Sequence, residues 1–146
     1  MSKHSYVRIF IHLIWGTQGH ERIITGKVGK SLFEHIISYA KKNGIPVEKM
    51  NIQPEHIHCL ISLPPDKNIS QVAGALKGES SRWINENDFF SGKFRWQRGY
   101  GAFSVSSSQY EVVKSYISRQ NERHKRKSFL EEYKEWAMKY GVWEDR

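Results

Sequence analysis

Residues 54–63, PEHIHCLISL, contain the pattern from which the fold can be worked out. Alternate side chains of a β-strand point to opposite faces of its sheet. One face of this strand is apolar and comprises Ile57, Cys59, Ile61 and Leu63. The other face carries His56 and His58, whose Cβ atoms lie roughly 7 Å apart at a rise of about 3.3 Å per residue. We expect these two imidazoles to stand on a sheet face that the helices leave open, where both can reach one metal ion.

The segments on either side of this strand complete a recognisable order of elements. Strand-like alternation marks residues 6–15, 46–52 and 101–105, and helical spacing of apolar residues marks 28–42 and 69–86. The order βαββαβ is typical of a ferredoxin-like or RRM-like α+β sandwich, an antiparallel sheet with helices on one face. Two C-terminal helices, residues 108–122 and 129–140, are predicted in addition, the first with a capping box at Ser108 and Glu111. The 146 residues fit one domain.

The composition favours a nucleic-acid partner in a reducing compartment. The chain has 23 Lys and Arg against 15 Asp and Glu, and it carries five Trp, seven Tyr and seven Phe. Positive charge combined with aromatic rings suits a polyanion that has unpaired bases. A lone cysteine, Cys59, excludes an intramolecular disulfide and a cysteine-cluster zinc site. No segment approaches about 20 apolar residues, so we expect a cytoplasmic protein, associated with the nucleoid when bound to DNA, and no membrane partner.

A second set of chemistry-bearing residues lies on the predicted helix 108–122. Residues three or four positions apart share one face of a helix, so Tyr116 and Gln120 are neighbours one turn apart. Val113 and Ile117 lie on the same face, which makes an ordinary amphipathic helix an alternative interpretation of the pattern.

Four motifs in order resemble those of the single-tyrosine HUH transposases, which include the REP-associated tyrosine transposases. The motifs are His56-Ile57-His58, Lys77-Gly78-x-Ser80-Ser81, Trp96-Gln97-Arg98-Gly99-Tyr100 and Tyr116-Ile117-x-x-Gln120. The resemblance covers roughly residues 5–122. It implies a transposase and single-strand endonuclease that cuts and rejoins hairpin-bearing single-stranded DNA, and that works as a homodimer.

The resemblance also implies a function for individual residues. Tyr116 corresponds to the nucleophile, which forms a 5′-phosphotyrosine and releases a 3′ hydroxyl. His56, His58 and Gln120 correspond to the ligands of a divalent ion, Mg²⁺ or Mn²⁺. The residues expected to contact DNA are Lys77, Arg82, Arg95 and Arg98, which neutralise phosphates, and Trp96 and Tyr100, which stack on bases.

Three residues near the motifs raise separate questions. Glu55 precedes the first histidine where Asp or Asn is commoner in relatives, a difference expected to affect the turn more than the chemistry. Tyr110 is a rival nucleophile, but it lies in the first turn of its helix and off the Gln120 face. His12, on the first strand, is placed near the site without an assigned function.

Other functions stay open on the sequence alone. A non-catalytic or domesticated single-stranded nucleic-acid-binding protein could have the same fold, although binding alone does not require the two histidines with Tyr116 and Gln120. A replication or conjugation nuclease of the wider HUH group is usually a larger protein. A phosphoesterase with paired His-x-Ser/Thr motifs would need a second such motif, which the sequence lacks.

Overall fold

The elements follow the predicted order along the chain. In a computed structural model that describes residues 5–120 and 128–139, the strands are β1 (Phe10–Gly16), β2 (Val47–Ile52), β3 (His56–Ser62) and β4 (Gly101–Val105). The helices are α1 (Gly26–Lys42), α2 (Ile69–Glu86), α3 (Tyr110–Ser118) and α4 (Phe129–Lys139). The predicted α+β class is confirmed, since the order is βαββαβ with two further helices.

The strands form one antiparallel sheet in the order β2-β3-β1-β4, the arrangement expected of a ferredoxin-like fold. Strand β1 is central and pairs with both β3 and β4. The register places Ile14 opposite His58 and Gly16 opposite His56. The β1 strand therefore ends beside the histidine motif.

Helices α1 and α2 cover the first face of the sheet, as predicted. The core on this side combines strand residues Leu13, Trp15, Ile57, Cys59 and Ile61 with helix residues Leu32, Ile36 and Leu76. Each fully buried aliphatic side chain of this kind contributes about 1.5–3 kcal/mol of transfer free energy. The face of β3 that carries Ile57, Cys59 and Ile61 is thus the one whose burial holds the helices on the sheet.

The second face of the sheet is covered, which corrects the expectation that it stays open. Helices α3 and α4 pack against it through Val113, Ile117 and Trp136, which contact Phe10, Ile14 and Leu60 of the sheet. Both partners have apolar surface to bury, so their contact removes that surface from water. His56 and His58 consequently lie beneath the C-terminal helices, each with 0% of its surface exposed.

The start of helix α3 differs from the predicted one. Helix α3 begins at Tyr110 after a short 3-10 turn, and its N-cap, Gln109, makes no side-chain capping bond, so the predicted Ser108 capping box is wrong. The Ser108 hydroxyl instead pairs with that of Ser106 at 3.1 Å. A capping box does occur at α2, where the Asn68 side chain accepts from the Gln71 amide and Gln71 bonds back to the Asn68 backbone.

Several predicted features fall at the limits of the described residues. Strand β1 begins at Phe10 and not at residue 6. Residues 121 and 122 of the third predicted helix, residue 140 of the fourth and the basic run 123–127 lie outside the described residues. None of the helices that the structure describes is long and apolar enough to cross a membrane.

Candidate active site

The two histidines of β3 form the centre of the candidate site. Their ring centroids lie 4.8 Å apart with the ring planes at 77°. Both side chains point to the face that α3 and α4 cover, as strand alternation predicted. The pair is therefore close enough for convergent ligation, but it sits in a buried environment and not on an open surface.

Glu55 orients His56. Nδ1 of His56 donates a hydrogen bond of 2.8 Å to Oε1 of Glu55, whose other oxygen pairs with Arg22. Burial lowers the pKa of His56, but the carboxylates of Glu132 and Glu55 more than offset this effect, so the pKa is raised overall. With Nδ1 bonded to Glu55, Nε2 faces the interior of the site. Glu55 thus bears on the chemistry as well as on the turn.

His12 orients His58 in a similar way. Nε2 of His12 lies 2.9 Å from Nδ1 of His58, in a hydrogen bond between two buried rings. Burial, followed by the nearby His58, lowers the pKa of His12 well below its ordinary value, so His12 is neutral. When Nδ1 of His58 donates to this neutral ring, Nε2 of His58 keeps its lone pair. His12, to which the sequence assigned no function, fixes the ring that a metal would use.

Glu132 of α4 is a site residue that the sequence analysis missed. Its Oε2 lies 3.5 Å from Nε2 of His56 and 3.5 Å from Nε2 of His58. Burial raises the pKa of this carboxyl, but hydrogen bonds with the two histidines outweigh burial and lower it. A usable signal existed in the sequence, since Glu132 is four residues before Trp136, on the core-facing side of an amphipathic helix.

Tyr116 is connected to His56 and His58 through the carboxylate of Glu132. Its hydroxyl donates a 3.0 Å hydrogen bond to Oε1 of Glu132. Burial and the charge of Glu132 raise the pKa of Tyr116 to about 12, while contacts with Trp136 and Gln120 act in the opposite direction. The phenol borders a cavity of about 190 Å³ that is lined by Tyr116, Glu135, Trp136 and Lys139. The proposed nucleophile is thus reached from this cavity.

Gln120 and Tyr110 differ in their relation to this site. Gln120 is fully buried one helical turn after Tyr116, and its amide is close enough to the phenol to lower the pKa of Tyr116. The hydroxyl of Tyr110 donates a 2.7 Å hydrogen bond to Glu48 on the edge strand β2. The structure therefore associates Gln120 with Tyr116, and it gives Tyr110 a partner outside the histidine cluster.

The residues expected to contact DNA lie in unlike surroundings. Trp96 is a core residue, 9% exposed, and its indole N–H donates a 2.9 Å bond to Ser80. The ring is packed edge-on against Trp15 and Phe94, so it presents no open face on which a base could stack. The stacking of Trp96 on a base stays a prediction, and this burial argues against it. Tyr100, by contrast, is exposed.

The four basic residues expected to contact DNA also differ in their surroundings. The ammonium of Lys77 donates to the carbonyl oxygens of Gln97 at 3.0 Å and Gly99 at 2.6 Å, so it holds a loop as well as carrying charge. Arg82 forms ion pairs with two glutamates of its own helix. Arg95 and Arg98 are exposed on the loop before β4.

The donor set fits a divalent metal ion. Among the residues that the structure describes, one nitrogen of His56, one of His58 and one oxygen of Glu132 all lie within 4.8 Å of one another. The hydrogen bonds of His12 and Glu55 orient both rings, which is the usual arrangement around ligating histidines. Two imidazoles with one carboxylate form a donor set that can bind divalent ions.

The chain matches known proteins along most of its length. The family model described as "Transposase IS200 like" matches residues 5–120. The ISDra2 transposase TnpA of Deinococcus radiodurans is 28% identical over 117 residues, which are 77% of this chain and 84% of that protein. The IS200 transposase of Salmonella typhimurium is 24% identical over 120 residues, 78% of each chain.

Two solved structures share the fold. A suspected transposase from Deinococcus radiodurans R1 has a TM-score of 0.66 at 24% identity, over 82% of this chain and 96% of that one. A REP-associated tyrosine transposase bound to a REP hairpin has a TM-score of 0.63 at 16% identity, over 85% and 74% of the chains. Together with the family match over most of its length, these findings show that the chain belongs to the IS200-like transposase family.

Proposed function

We propose that this transposase cuts and rejoins hairpin-bearing single-stranded DNA through a covalent 5′-phosphotyrosine, with the help of a divalent metal ion. The observation that carries the proposal is the single buried cluster in which Glu132 connects the Tyr116 hydroxyl with His56 and His58. DNA binding alone does not require a tyrosine and two imidazoles that all contact one buried carboxylate.

The proposed step exchanges one phosphoester bond for another. The Tyr116 oxygen attacks a phosphodiester, the bond from phosphorus to the tyrosine oxygen forms, and the bond from phosphorus to the 3′ oxygen breaks. The DNA 5′ phosphate is then held on the enzyme, and the released strand ends in a 3′ hydroxyl. Because the new ester keeps the bond energy, a 3′ hydroxyl can attack it in the reverse sense and rejoin DNA without water or ATP.

The proton of Tyr116 must leave as the new bond forms. With a pKa of about 12, the side chain is a neutral phenol near neutral pH. Oε1 of Glu132 accepts the hydrogen bond from this phenol and so fixes where the proton lies. Glu132 is a much weaker base than a phenolate, since its own pKa is lowered. We therefore assign it to holding and aligning the hydroxyl. The phenol loses its proton only as its oxygen bonds to phosphorus, and the departing 3′ oxygen takes up a proton in the same step to become the 3′ hydroxyl.

The metal would be held by His56 and His58 through Nε2, with one oxygen donor from α4 and one from the residue that follows the C-cap of α3. Glu132 places a carboxylate oxygen opposite both rings. Gln120, the ligand implied by the family motif, is buried beside Tyr116 and would supply an amide oxygen. When bound, a divalent ion polarises a phosphodiester oxygen and stabilises the leaving 3′ oxygen.

The DNA-binding surface is proposed to follow the loop before β4. Arg95, Arg98 and Tyr100 are exposed there, and the formal charge of the whole chain is +8. Lys77 of α2 contacts the same loop and adds positive charge to it, although its ammonium already has protein partners. Arg82 is paired with two glutamates of α2 and is proposed as a further DNA contact. The solved relative bound to a REP hairpin supports a hairpin substrate, and a homodimer remains part of the proposal by family resemblance.

A cleavage assay tests the proposal. A single-stranded oligonucleotide with a hairpin is incubated with the protein and Mn²⁺ or Mg²⁺, and the products are separated under denaturing conditions. We expect a protein–DNA adduct and a free strand with a 3′ hydroxyl, both lost with excess chelator and in Tyr116→Phe. Tyr110→Phe is the matched control and should keep the adduct. DNA binding without any adduct would instead support the non-catalytic alternative.

A further inference from the structure

A second cavity, of about 190 Å³, lies between the end of β1, the loop that precedes β4, and helix α4. Three parts of the chain that are distant in sequence meet there. The lining includes Ile14, Gly16, Gln97, Arg98, Tyr100 and Tyr133. None of them belongs to the metal-binding cluster or to the cavity beside Tyr116.

The cavity is adjacent to the site of the proposed reaction. In the β1–β3 register, Ile14 is opposite His58 and Gly16 is opposite His56, and neighbouring strands are about 4.8 Å apart. On α4, Tyr133 directly follows Glu132. A nucleotide whose phosphate reaches the histidine cluster would therefore have a base within reach of the cavity.

From this position and its chemistry we infer that the cavity receives one unpaired nucleobase next to the scissile phosphate. Ile14 gives it an apolar wall, while Tyr100 and the half-buried Tyr133 supply aromatic rings. Arg98 adds a cation that can contact either the base edge or the adjoining phosphate. A nucleobase combines an aromatic face with a polar edge, so it matches both kinds of lining.

The loop that forms the cavity is held in place before any ligand arrives. Lys77 bonds to the carbonyl oxygens of Gln97 and Gly99. The Gln97 amide donates a 2.7 Å bond to the Gly16 carbonyl oxygen, and its side-chain oxygen accepts from the Gly19 amide. A pocket that is already ordered loses less conformational entropy when it binds. This also gives Lys77 a function distinct from phosphate neutralisation, since it positions the loop.

The inference rests on the proposed function, and its test uses binding alone. Tyr116→Phe protein in excess chelator is titrated with a short oligothymidylate and with an abasic oligonucleotide of equal length, and both affinities are measured by fluorescence anisotropy. The variants Tyr100→Ala, which removes a ring, and Leu130→Trp, which fills the cavity from its rim, are compared with Met138→Trp. Met138 is exposed on the same helix and does not line the cavity, so it is the matched control.

We expect the base-bearing oligonucleotide to bind roughly tenfold more tightly than the abasic one. Tyr100→Ala and Leu130→Trp should bring this ratio towards one with little change in abasic affinity, whereas Met138→Trp keeps it. Photocrosslinking of a thiothymidine-substituted strand should label residues 97–100 or 130–133. A ratio that neither variant changes, or crosslinks confined to other segments, would overturn the inference. The proposed function fails separately, by the absence of a Tyr116-dependent adduct.

Discussion

The hydroxyl of Tyr116 on α3 donates a 3.0 Å hydrogen bond to Glu132 on α4, and the other oxygen of that carboxylate faces the two histidines of β3. One side chain therefore connects the proposed nucleophile with the proposed metal site. This contact brings together three elements that are far apart in the sequence. It also makes Glu132 the residue whose substitution discriminates best between a metal site and a buried hydrogen-bond cluster.

Replacing Glu132 with Gln should weaken Mn²⁺ binding by about tenfold or more, because a charged oxygen donor is lost from beside both imidazoles. Isothermal titration calorimetry, or the electron paramagnetic resonance signal of free Mn²⁺, measures the affinity. Glu131→Gln removes the same charge from an exposed position on the same helix and should leave the affinity near that of the wild type. Equal affinities in all three proteins would exclude Glu132 as a ligand.

His12→Phe should lower Mn²⁺ affinity by about 10- to 100-fold although His12 is not itself a proposed ligand, since ring orientation at His58 depends on it. The matched control is His35→Phe, which alters a histidine on α1 that contacts Glu79 outside the site. Circular dichroism establishes that both variants are folded. An unchanged affinity in a folded His12→Phe protein would show that the hydrogen bond does not serve metal binding.

Metal affinity should fall as the pH is lowered. Because the pKa of His56 is raised, its imidazole is protonated at a higher pH than an ordinary histidine, whose pKa is near 6.5. The protonated ring cannot bind a cation. Below that pKa, affinity should fall by about tenfold per pH unit for each proton released on binding. Removing a cause of the raised pKa, by Glu55→Gln, should move the profile to lower pH. A flat profile from about pH 8 to about pH 5 would contradict this assignment.

Trp96→Phe should affect stability more than DNA binding. The substitution removes the indole hydrogen bond to Ser80 and leaves part of a packed core unfilled, at a cost of about 1–3 kcal/mol. Urea unfolding measures this loss, and anisotropy with single-stranded DNA measures binding. Tyr100→Phe keeps an exposed ring and serves as the comparison for stability. A large loss of DNA affinity in a folded Trp96→Phe protein would show that Trp96 contributes to DNA binding.

Local patterns predicted much of the fold. Helix α2 occupies Ile69–Glu86, the range expected from its amphipathic spacing, and the face assignment of His56 and His58 followed from strand alternation alone. These features depend on neighbours in sequence, so a single sequence is enough to predict them.

What the sequence analysis missed depends on contacts between distant segments. Whether a sheet face is open is decided by where later helices pack, and α3 and α4 cover the face that alternation alone left exposed. Glu132 joins the site for the same reason. His12 was expected near the site, but its function comes from a hydrogen bond with His58, which no local motif predicts. The Ser108 capping box was wrong because a 3-10 turn at Ser107–Gln109 displaces the helix start.

The central claim is that Tyr116 becomes covalently linked to DNA, and peptide mapping of the adduct by mass spectrometry tests it most directly. The wild-type protein is incubated with hairpin-bearing single-stranded DNA and Mn²⁺, digested with nuclease and protease, and searched for a nucleotide-modified tyrosine. The account predicts the modification on Tyr116 and its loss when His56 and His58 are replaced by Ala. A modification on Tyr110, or on any residue other than Tyr116, would contradict it.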